Sequence, residues 1–263
     1  MCPKYWHKTN AEISPYLLQG VATLVNIFLK YLFKSNYTIR DLSQLITIPK
    51  YSPQTEVQIL TKLDQEKFVD ACYENCSQRN FLLLALYTGA RIGELESITW
   101  DDLKGNKLTI NKTFRFVKNL TTNKYEPTVT PPKTKCSCRT LVLNNKAMDI
   151  LKDQKKQHNL LKLKLGNKFP HPELIFTTRN GNFLEPQTIR NALNKVCTDA
   201  NLPKIKFHAL RHTFASRLIE GGVNIKIISN ILGHSSTSVT EKVYIHVLEQ
   251  FKEDTNELIN QIL

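Results

Sequence analysis

Hydrophobic residues recur along most of the chain at the spacing of α-helices, starting with three consecutive segments after a break near residue 57. These three helices are predicted over residues 60–75, 80–89 and 90–103. Thr61 is a candidate N-cap of the first helix, and Leu63, Phe68 and Ala71 are predicted to face the core. Gly89 is expected to end the second helix, which is apolar enough to be buried.

Alternation of apolar and polar residues predicts two half-buried strands, over residues 106–117 and 138–145. Residues 118–135 contain three prolines and are predicted to form a long connection between the strands. Asn180 followed by Gly181 predicts a tight turn. The pattern as a whole predicts a mainly α fold with a small antiparallel β-sheet, an α+β protein.

Three further helices are predicted in the last quarter of the chain, over residues 208–222, 224–232 and 238–247. Their inward-facing residues are predicted to be Leu210, Phe214 and Leu218 in the first, Ile228 and Leu232 in the second, and Val239, Val243 and Val247 in the third. Gly233 is expected to cap the end of the second helix. Ser238 and Glu241 have the spacing of a capping box at the start of the third.

The N-terminal segment 17–33 is apolar on nearly every side, which indicates either a helix between neighbours or a membrane span. Gln19, Asn26 and Lys30 interrupt it, and it is short for a bilayer, so the first interpretation is favoured. Too few residues precede it to supply those neighbours. We therefore expect the remnant of a helical domain, or a domain completed by another chain, followed by a linker over 50–57.

Charge is concentrated in one part of the chain, whose formal net charge is +13. Residues 104–168 contain 16 Lys and Arg against 3 Asp and Glu, whereas the remaining segments balance at 20 of each sign. A single basic zone indicates a polyanionic partner, most often nucleic acid, although a solvated lysine-rich surface would give the same count.

The six cysteines match no common zinc template, and no signal peptide precedes them. We expect reduced thiols in a cytoplasmic protein and no metal site.

Several polar residues are not required by packing. His208 and Arg211 lie almost one helical turn apart beside an apolar stripe, so an anion is expected opposite them. Arg91 and Glu94 are similarly spaced, and taken alone that pair is better explained by a surface salt bridge. His234 could be an ordinary loop residue and Tyr244 an ordinary amphipathic packing residue.

The order of these residues carries more information than any one of them. In "TGARIGEL", "PPKTKCSCRTLVL", "HALRHTF", "LGHSS" and "VYIHV" an arginine is followed by a lysine near a strand, His-x-x-Arg, Leu-Gly-His and a tyrosine. Over residues 57–250 the chain resembles the tyrosine recombinases, in particular the integrases of phages and conjugative transposons.

The resemblance implies a role for each residue of the series. Tyr244 would be the nucleophile that forms a 3′-phosphotyrosyl bond with DNA and frees a 5′-hydroxyl. Arg91 and Arg211 would clamp the non-bridging oxygens of the phosphate. His208 would assist as a hydrogen-bond partner or base, and His234 would hold an oxygen in the transition state.

A lysine would protonate the leaving 5′-oxygen. The resemblance assigns this role to Lys133, and a shift of one residue in the match would favour Lys135. Glu94 would orient the first arginine. The basic zone would grip the duplex mostly through phosphates, and its predicted DNA contacts are Lys112, Arg115, Lys135 and Arg139.

The resemblance also implies an organisation and a set of partners. Residues 1–52 would be a partial core-binding segment, 53–250 the catalytic domain and 251–263 a C-terminal tail helix. No metal or other cofactor is implied, and no membrane. The partners would be double-stranded attachment-site DNA, further copies forming a tetramer on that DNA, and an accessory excision factor.

Two alternatives share parts of this picture. A type IB topoisomerase would use the same chemistry without exchanging partners, and a decayed integrase would bind DNA as a regulator. The polar tail after Tyr244, which suits docking between subunits, favours the integrase over the topoisomerase. The expected residue type at every catalytic position favours it over the regulator.

Overall fold

The computed structural model describes residues 14–47, 58–131 and 138–233, together with residues 241 and 245. The chain divides into two compact units, Met1–Glu56 and Val57–Leu263. The predictions for His234, Tyr244, Lys133 and Lys135, the linker, the valine stripe of the last helix and the tail lie outside the described residues.

The first unit contains the predicted apolar helix. Helix α1 spans Pro15–Lys34, with proline in its first turn, and a short 3₁₀ turn follows at Leu42–Leu45. The amide of Asn26 donates to the carbonyl of Ser43 and ties the turn to the helix. Most apolar side chains of α1 are exposed, among them Leu24 at 68%. By length and composition alone, Leu17–Lys34 meets the minimum for a membrane span, a test that soluble core helices also pass.

The second unit is built mainly from helices. Its helices are α2 (Lys62–Asn75), α3 (Arg79–Thr88), α4 (Ile92–Ser97), α5 (Asn145–Leu165), α6 (Pro186–Asp199), α7 (His208–Glu220) and α8 (Ile225–Leu232). Every side chain of α3 from Phe81 to Leu86 is buried, which confirms the predicted core helix.

The N-terminal cap of α2 is confirmed, because the hydroxyl of Thr61 accepts the backbone N–H of Asp64. Phe68 and Ala71 are buried as predicted. The prediction for Leu63 was wrong, since this side chain is 60% exposed. Five residues separate it from Phe68, which at 3.6 residues per turn places the two on opposite sides of the helix.

Two small antiparallel sheets accompany the helices. The first has the strand order β1 (Leu103–Lys104), β2 (Lys107–Ile110), β5 (Arg139–Val142), with Leu108 opposite Leu141. The second is a hairpin of β3 (Thr113–Lys118) and β4 (Tyr125–Thr130).

The structure corrects two predictions about the strands. Residues 106–117 form two strands in different sheets, because β2 ends at Ile110 and β3 begins at Thr113. Between them, the hydroxyl of Ser97 donates to the carbonyl of Lys112. Residues 118–135 are not only a connection but contain β4. Pro127 is tolerated there, opposite Phe116, because among the described strands β4 pairs only with β3 and is an edge strand.

Two glycines determine how the core closes. Gly89 ends α3 at φ 64°, and a Cβ there would lie 2.6 Å from Phe214 and 2.7 Å from Leu232. The end of α3 can therefore pack directly against α7 and α8.

Gly181, at φ 78°, forms the predicted turn, in which the N–H of Thr178 donates to the carbonyl of Asn182.

Helices α7 and α8 agree with their predicted patterns. Leu210, Ile228 and Leu232 are buried, and Phe214 and Leu218 are half-buried against the same cluster. Gly233 has the left-handed conformation predicted for the C-cap of α8, with φ 67°. Residue 234 therefore follows immediately after the end of a well-packed helix.

Candidate active site

Arg211 is the central buried cation of the second unit. It lies in the first turn of α7, is 2% exposed, and donates from Nη1 to the carbonyl of Gly89 (2.8 Å) and from Nη2 to that of Leu232 (2.6 Å). Within the part of the chain that the structure describes, its Nε has no hydrogen-bond partner. Burial, followed by the nearby charge of Arg91, lowers the pKa of Arg211 to about 9, so the guanidinium remains cationic at neutral pH.

Arg91 lies two residues after Gly89, whose carbonyl accepts a hydrogen bond from Arg211. Its Nη1 forms a salt bridge with Glu94 Oε1 at 2.8 Å, and its Nη2 lies 3.4 Å from the carbonyl of Gly233. The side chain is 36% exposed. The pair predicted from sequence is therefore more than a surface salt bridge, because Glu94 is 5% exposed and also accepts the backbone N–H of Arg91.

Glu94 is held as a buried carboxylate. Burial by itself would raise its pKa, but hydrogen bonds and charge from Arg139, and then from Arg91, lower the pKa to about 2. Arg139 contributes two of these bonds, from Nη1 at 3.0 Å and from Nη2 at 2.9 Å. Glu94 is thus ionised at neutral pH and orients two guanidinium groups.

Arg139 differs from the sequence-based expectation of a DNA contact. Its side chain is 6% exposed, and besides Glu94 it bonds from Nε to the carbonyl of Ile231 at 2.6 Å. Strand β5 begins at this residue, next to α8, which directs the side chain inward. Sequence reasoning assigned it to the basic zone because a buried arginine at the start of a strand gives no periodic signal.

Three arginines therefore converge on one helix end. Arg139, Arg211 and Arg91 donate to the consecutive carbonyls of Ile231, Leu232 and Gly233. The last carbonyls of a helix have no partner within the helix and carry its negative dipole end, so cations stabilise them.

His208 begins α7, one turn before Arg211. Its ring meets that of His212 edge to face, with centroids 4.7 Å apart. Burial lowers the pKa of His208 to about 4, and the charges of His212, Arg211 and Arg91 contribute further. His212 has its pKa lowered to about 4 as well, by burial and by Arg211. Both imidazoles are neutral at pH 7 and can accept a proton or a hydrogen bond.

The charge balance of the cluster favours an anion. The described cluster holds three guanidinium groups near one carboxylate, that of Glu94, which bonds Arg91 and Arg139, and the two neighbouring histidines are neutral. Arg211 donates to two uncharged carbonyls, and its Nε has no partner among the described residues. A phosphate oxygen matches such a fork of donors.

The structure also places the other predicted DNA contacts. Lys112 is half-buried, forms a salt bridge with Asp102 at 2.7 Å and donates to Thr99. Arg115 is exposed on β3. Within the described ranges, no group of three or more His, Cys, Asp or Glu could hold a metal ion.

Comparison with known proteins gives the family. Residues 58–250 match the sequence profile of the phage integrase family. The chain belongs to the phage integrase family. It is 30% identical to a tyrosine recombinase XerC-like protein of Caldanaerobacter subterraneus over 98% of this chain and 70% of that protein. It is 28% identical to an integrase of Streptomyces ambofaciens over 91% of this chain and 62% of that integrase, so it spans less than two thirds of that relative.

Solved structures of phage integrase family proteins share the fold. The Tn1549 transposon integrase in complex with a circular intermediate DNA matches with a TM-score of 0.69 at 18% identity, covering 93% of this chain and 80% of that one. The XerA recombinase matches with a TM-score of 0.58 at 17% identity, covering 96% and 87%. The predicted fold class is confirmed, and the family makes this chain a site-specific DNA recombinase, an enzyme that breaks and rejoins DNA.

Proposed function

We propose that the chain exchanges DNA strands through a covalent bond to Tyr244. The phenolic oxygen attacks the scissile phosphorus, the bond from phosphorus to the 5′-oxygen breaks, and a 3′-phosphotyrosyl bond forms. The phenol proton passes to a base and the leaving 5′-oxygen receives a proton, so a 5′-hydroxyl is freed. A 5′-hydroxyl from a second strand reverses the step, and no energy source is required.

The arrangement of Arg211 carries this proposal. A guanidinium that is 2% exposed, bonded to two carbonyls and without a partner for Nε in the described part of the chain supports an anion-binding role better than a packing role. Arg91, held by Glu94, would supply the second fork. Together they would stabilise the charge that grows on the non-bridging oxygens in the transition state.

The remaining roles rest on position and family resemblance. His208, neutral at pH 7 and one turn from Arg211, would accept the phenol proton or hold it in a hydrogen bond. Lys133 or Lys135 would protonate the leaving oxygen. His234 would contact a phosphate oxygen. Its position in the sequence supports this role, because it follows directly after the α8 carbonyls to which the three arginines donate.

Assembly and direction belong to the same proposal. The chain would act as a tetramer on attachment-site DNA in the cytoplasm, integrating or excising a mobile element with an accessory excision factor. The N-terminal unit would belong to a core-binding domain, and residues 251–263 would dock on a neighbouring copy. Relatives named as integrases and recombinases support strand exchange over type IB topoisomerase activity and over a regulatory role.

A suicide substrate tests the chemistry directly. A duplex carrying the core attachment sequence and a nick next to the cleavage position loses its 5′-hydroxyl fragment after attack, which traps the adduct. We expect the chain to form an adduct that resists denaturant, and Tyr244→Phe to bind the same duplex without forming it. Tyr73→Phe is a matched control, because Tyr73 is exposed on α2. An adduct in Tyr244→Phe would overturn the proposal.

A further inference from the structure

Glu96 is a buried carboxyl group without a hydrogen-bond partner among the described residues. It lies one turn inside α4, is 1% exposed, and its Oε1 is the buried oxygen that lacks such a partner there. Burial raises its pKa to about 8, with only a partial opposing effect from the charge of Arg190. At neutral pH the group is therefore a protonated carboxylic acid, unlike Glu94 two residues earlier.

This residue lines a pocket of about 800 Å³ between α4, the β3–β4 hairpin and the start of α6. The hairpin contributes the aromatic side chains Phe114, Phe116 and Tyr125. The lining also includes the guanidinium-bearing residues Arg91, Arg115 and Arg190. Aromatic faces, a buried polar group and peripheral cations occur together here.

Packing does not explain a glutamate at this position. A leucine of similar volume would fill the same space without leaving a polar oxygen buried and unpaired. Buried polar groups in folded proteins nearly always have a partner, and those that lack one are a feature of binding sites. The acid therefore has an unfilled hydrogen-bonding capacity next to an open cavity.

We infer that this pocket binds one unpaired nucleobase of the DNA substrate, with the carboxyl group of Glu96 on the base edge. The inference rests on the proposed function, because strand exchange requires base pairs near the cut to open. Arg91 lines the pocket and also belongs to the arginine cluster, which places the base close to the scissile phosphate.

The chemistry of the pocket fits a base of any identity. A neutral carboxyl group presents one donor beside one acceptor, and the pairing edge of each of the four bases offers a complementary acceptor beside a donor. An ionised carboxylate would accept only, which suits guanine alone. The charged groups that line the pocket around Glu96 are Arg91 on α4, Arg115 on β3, and Glu185 and Arg190 at α6.

Stacking and charge would supply the remaining affinity. Aromatic side chains stack on any base, so the pocket has no need to read sequence. Arg115 and Arg190 are exposed and could pair with the phosphates that flank the extruded nucleotide. A peptide side chain would not use both the aromatic wall and the three cations.

Binding of bulged DNA tests the inference with the full chain. The probes are short fluorescent duplexes of one sequence that carry a single unpaired nucleotide, an abasic site at the same position, or no bulge. We expect the bulged base to bind about tenfold more tightly than the abasic bulge, whichever base is used. Glu96→Gln should keep this preference, because an amide also presents one donor and one acceptor.

Two variants should lose the preference. Glu96→Leu removes the polar edge and Phe116→Ala removes a stacking face, so both should bind bulged and abasic duplexes equally. Glu74→Gln, which changes an exposed carboxylate on α2 outside the pocket, is the matched control and should behave like the wild type. Thermal unfolding of Glu96→Leu shows whether it is folded, and no loss of stability is expected.

The outcomes separate this inference from the proposed function. Equal binding of bulged and abasic duplexes by the wild type, or a preference that survives in folded Glu96→Leu, overturns the base pocket. Failure of the wild type to form the covalent adduct on the suicide substrate overturns the proposed chemistry instead. That adduct assay uses paired DNA and does not depend on an unpaired base.

Discussion

Arg211 and Arg139 donate to adjacent carbonyls, those of Leu232 and Ile231, although the arginines lie on α7 and β5. One helix end thus fixes two guanidinium groups, and Arg91 reaches the next carbonyl, that of Gly233. Each of the three arginines has different further partners: Gly89 for Arg211, and Glu94 for Arg139 and Arg91. Substituting each arginine should therefore have a different effect on stability and on DNA cleavage.

Arg211→Lys should lose cleavage while keeping most duplex binding. A lysine carries the charge but cannot span the carbonyls of Gly89 and Leu232 and still offer a donor to a phosphate oxygen. Removing one donor of this kind typically lowers the rate on the order of 10² or more. The rate of adduct formation on a nicked duplex and the affinity for an intact duplex measure the two quantities separately. Equal loss of both would contradict a role confined to the transition state.

Arg139→Met should destabilise the fold, because it leaves the carboxylate of Glu94 buried with Arg91 as its remaining described cation. Breaking a buried pair from one side costs about 3–5 kcal/mol. Denaturant unfolding measures the loss. Adding Glu94→Gln to Arg139→Met should recover part of it, since the buried charge is gone.

Lys152→Met is the matched control for that experiment. It breaks a salt bridge to Asp149 in which both side chains are 69% exposed, so it should cost no more than about 1 kcal/mol. If Arg139→Met is as mild as this control, Arg139 does not hold Glu94 in solution.

The pKa of Glu94 predicts an acid-sensitive contribution to stability. The folded pKa is about 2, below the ordinary value of 4.5, so the stabilisation is fully present above pH 4.5 and is lost as pH falls toward 2. The shift corresponds to about 3 kcal/mol. Unfolding free energies at pH 6 and pH 3 should show a smaller loss for Glu94→Gln than for the wild type. Identical losses would mean that the carboxylate is not held by its arginines.

Glu96 should give the opposite slope, because its folded pKa of about 8 lies above the ordinary 4.5. Between these two values the unfolded chain releases the proton while the folded chain keeps it, so stability falls as pH rises. Melting temperatures of wild type and Glu96→Leu, compared at pH 5 and pH 8, should diverge at the higher pH. If the difference in melting temperature is the same at both pH values, the carboxyl group of Glu96 is exposed to water and its pKa is not raised.

Gly89→Ala should be strongly destabilising and should also impair cleavage. The substitution combines a left-handed backbone with a Cβ 2.6 Å from the Phe214 ring, and it displaces the carbonyl that holds Arg211. Gly105→Ala is the control, since Gly105 has a similar φ of 59° and open space around it. The difference between the two melting temperatures isolates the crowding. Equal effects would show that backbone strain alone is responsible.

Periodic patterns predicted the helices because their apolar faces repeat every turn, as Phe68 and Ala71 do in α2. They failed at residues 111–113, three consecutive polar residues that were included in one strand but mark the passage from the first sheet into the second. The prolines near β4 suggested a loop because the pattern does not show which strand is an edge.

The residues of the candidate site were likewise predicted only where they interrupt a periodic pattern. His208 and Arg211 were found because two polar residues one turn apart stand out against an apolar stripe. The buried role of Arg139 could not be found, because its partners Glu94 and Ile231 lie far away in sequence. Glu96 gave no signal at all, since a glutamate on a short helix usually faces solvent.

The hydrogen bonds from three arginines to the C-terminal end of α8 have a consequence for synthesis on the ribosome. The hydrogen bonds from Arg211 to Gly89 and from Arg91 to Gly233 close loops of 122 and 142 residues. Contacts this distant form late, after the intervening chain has been made and packed. A nascent chain that has not yet emerged past residue 233 therefore has no assembled arginine cluster, because the carbonyls that hold these arginines are not yet in place.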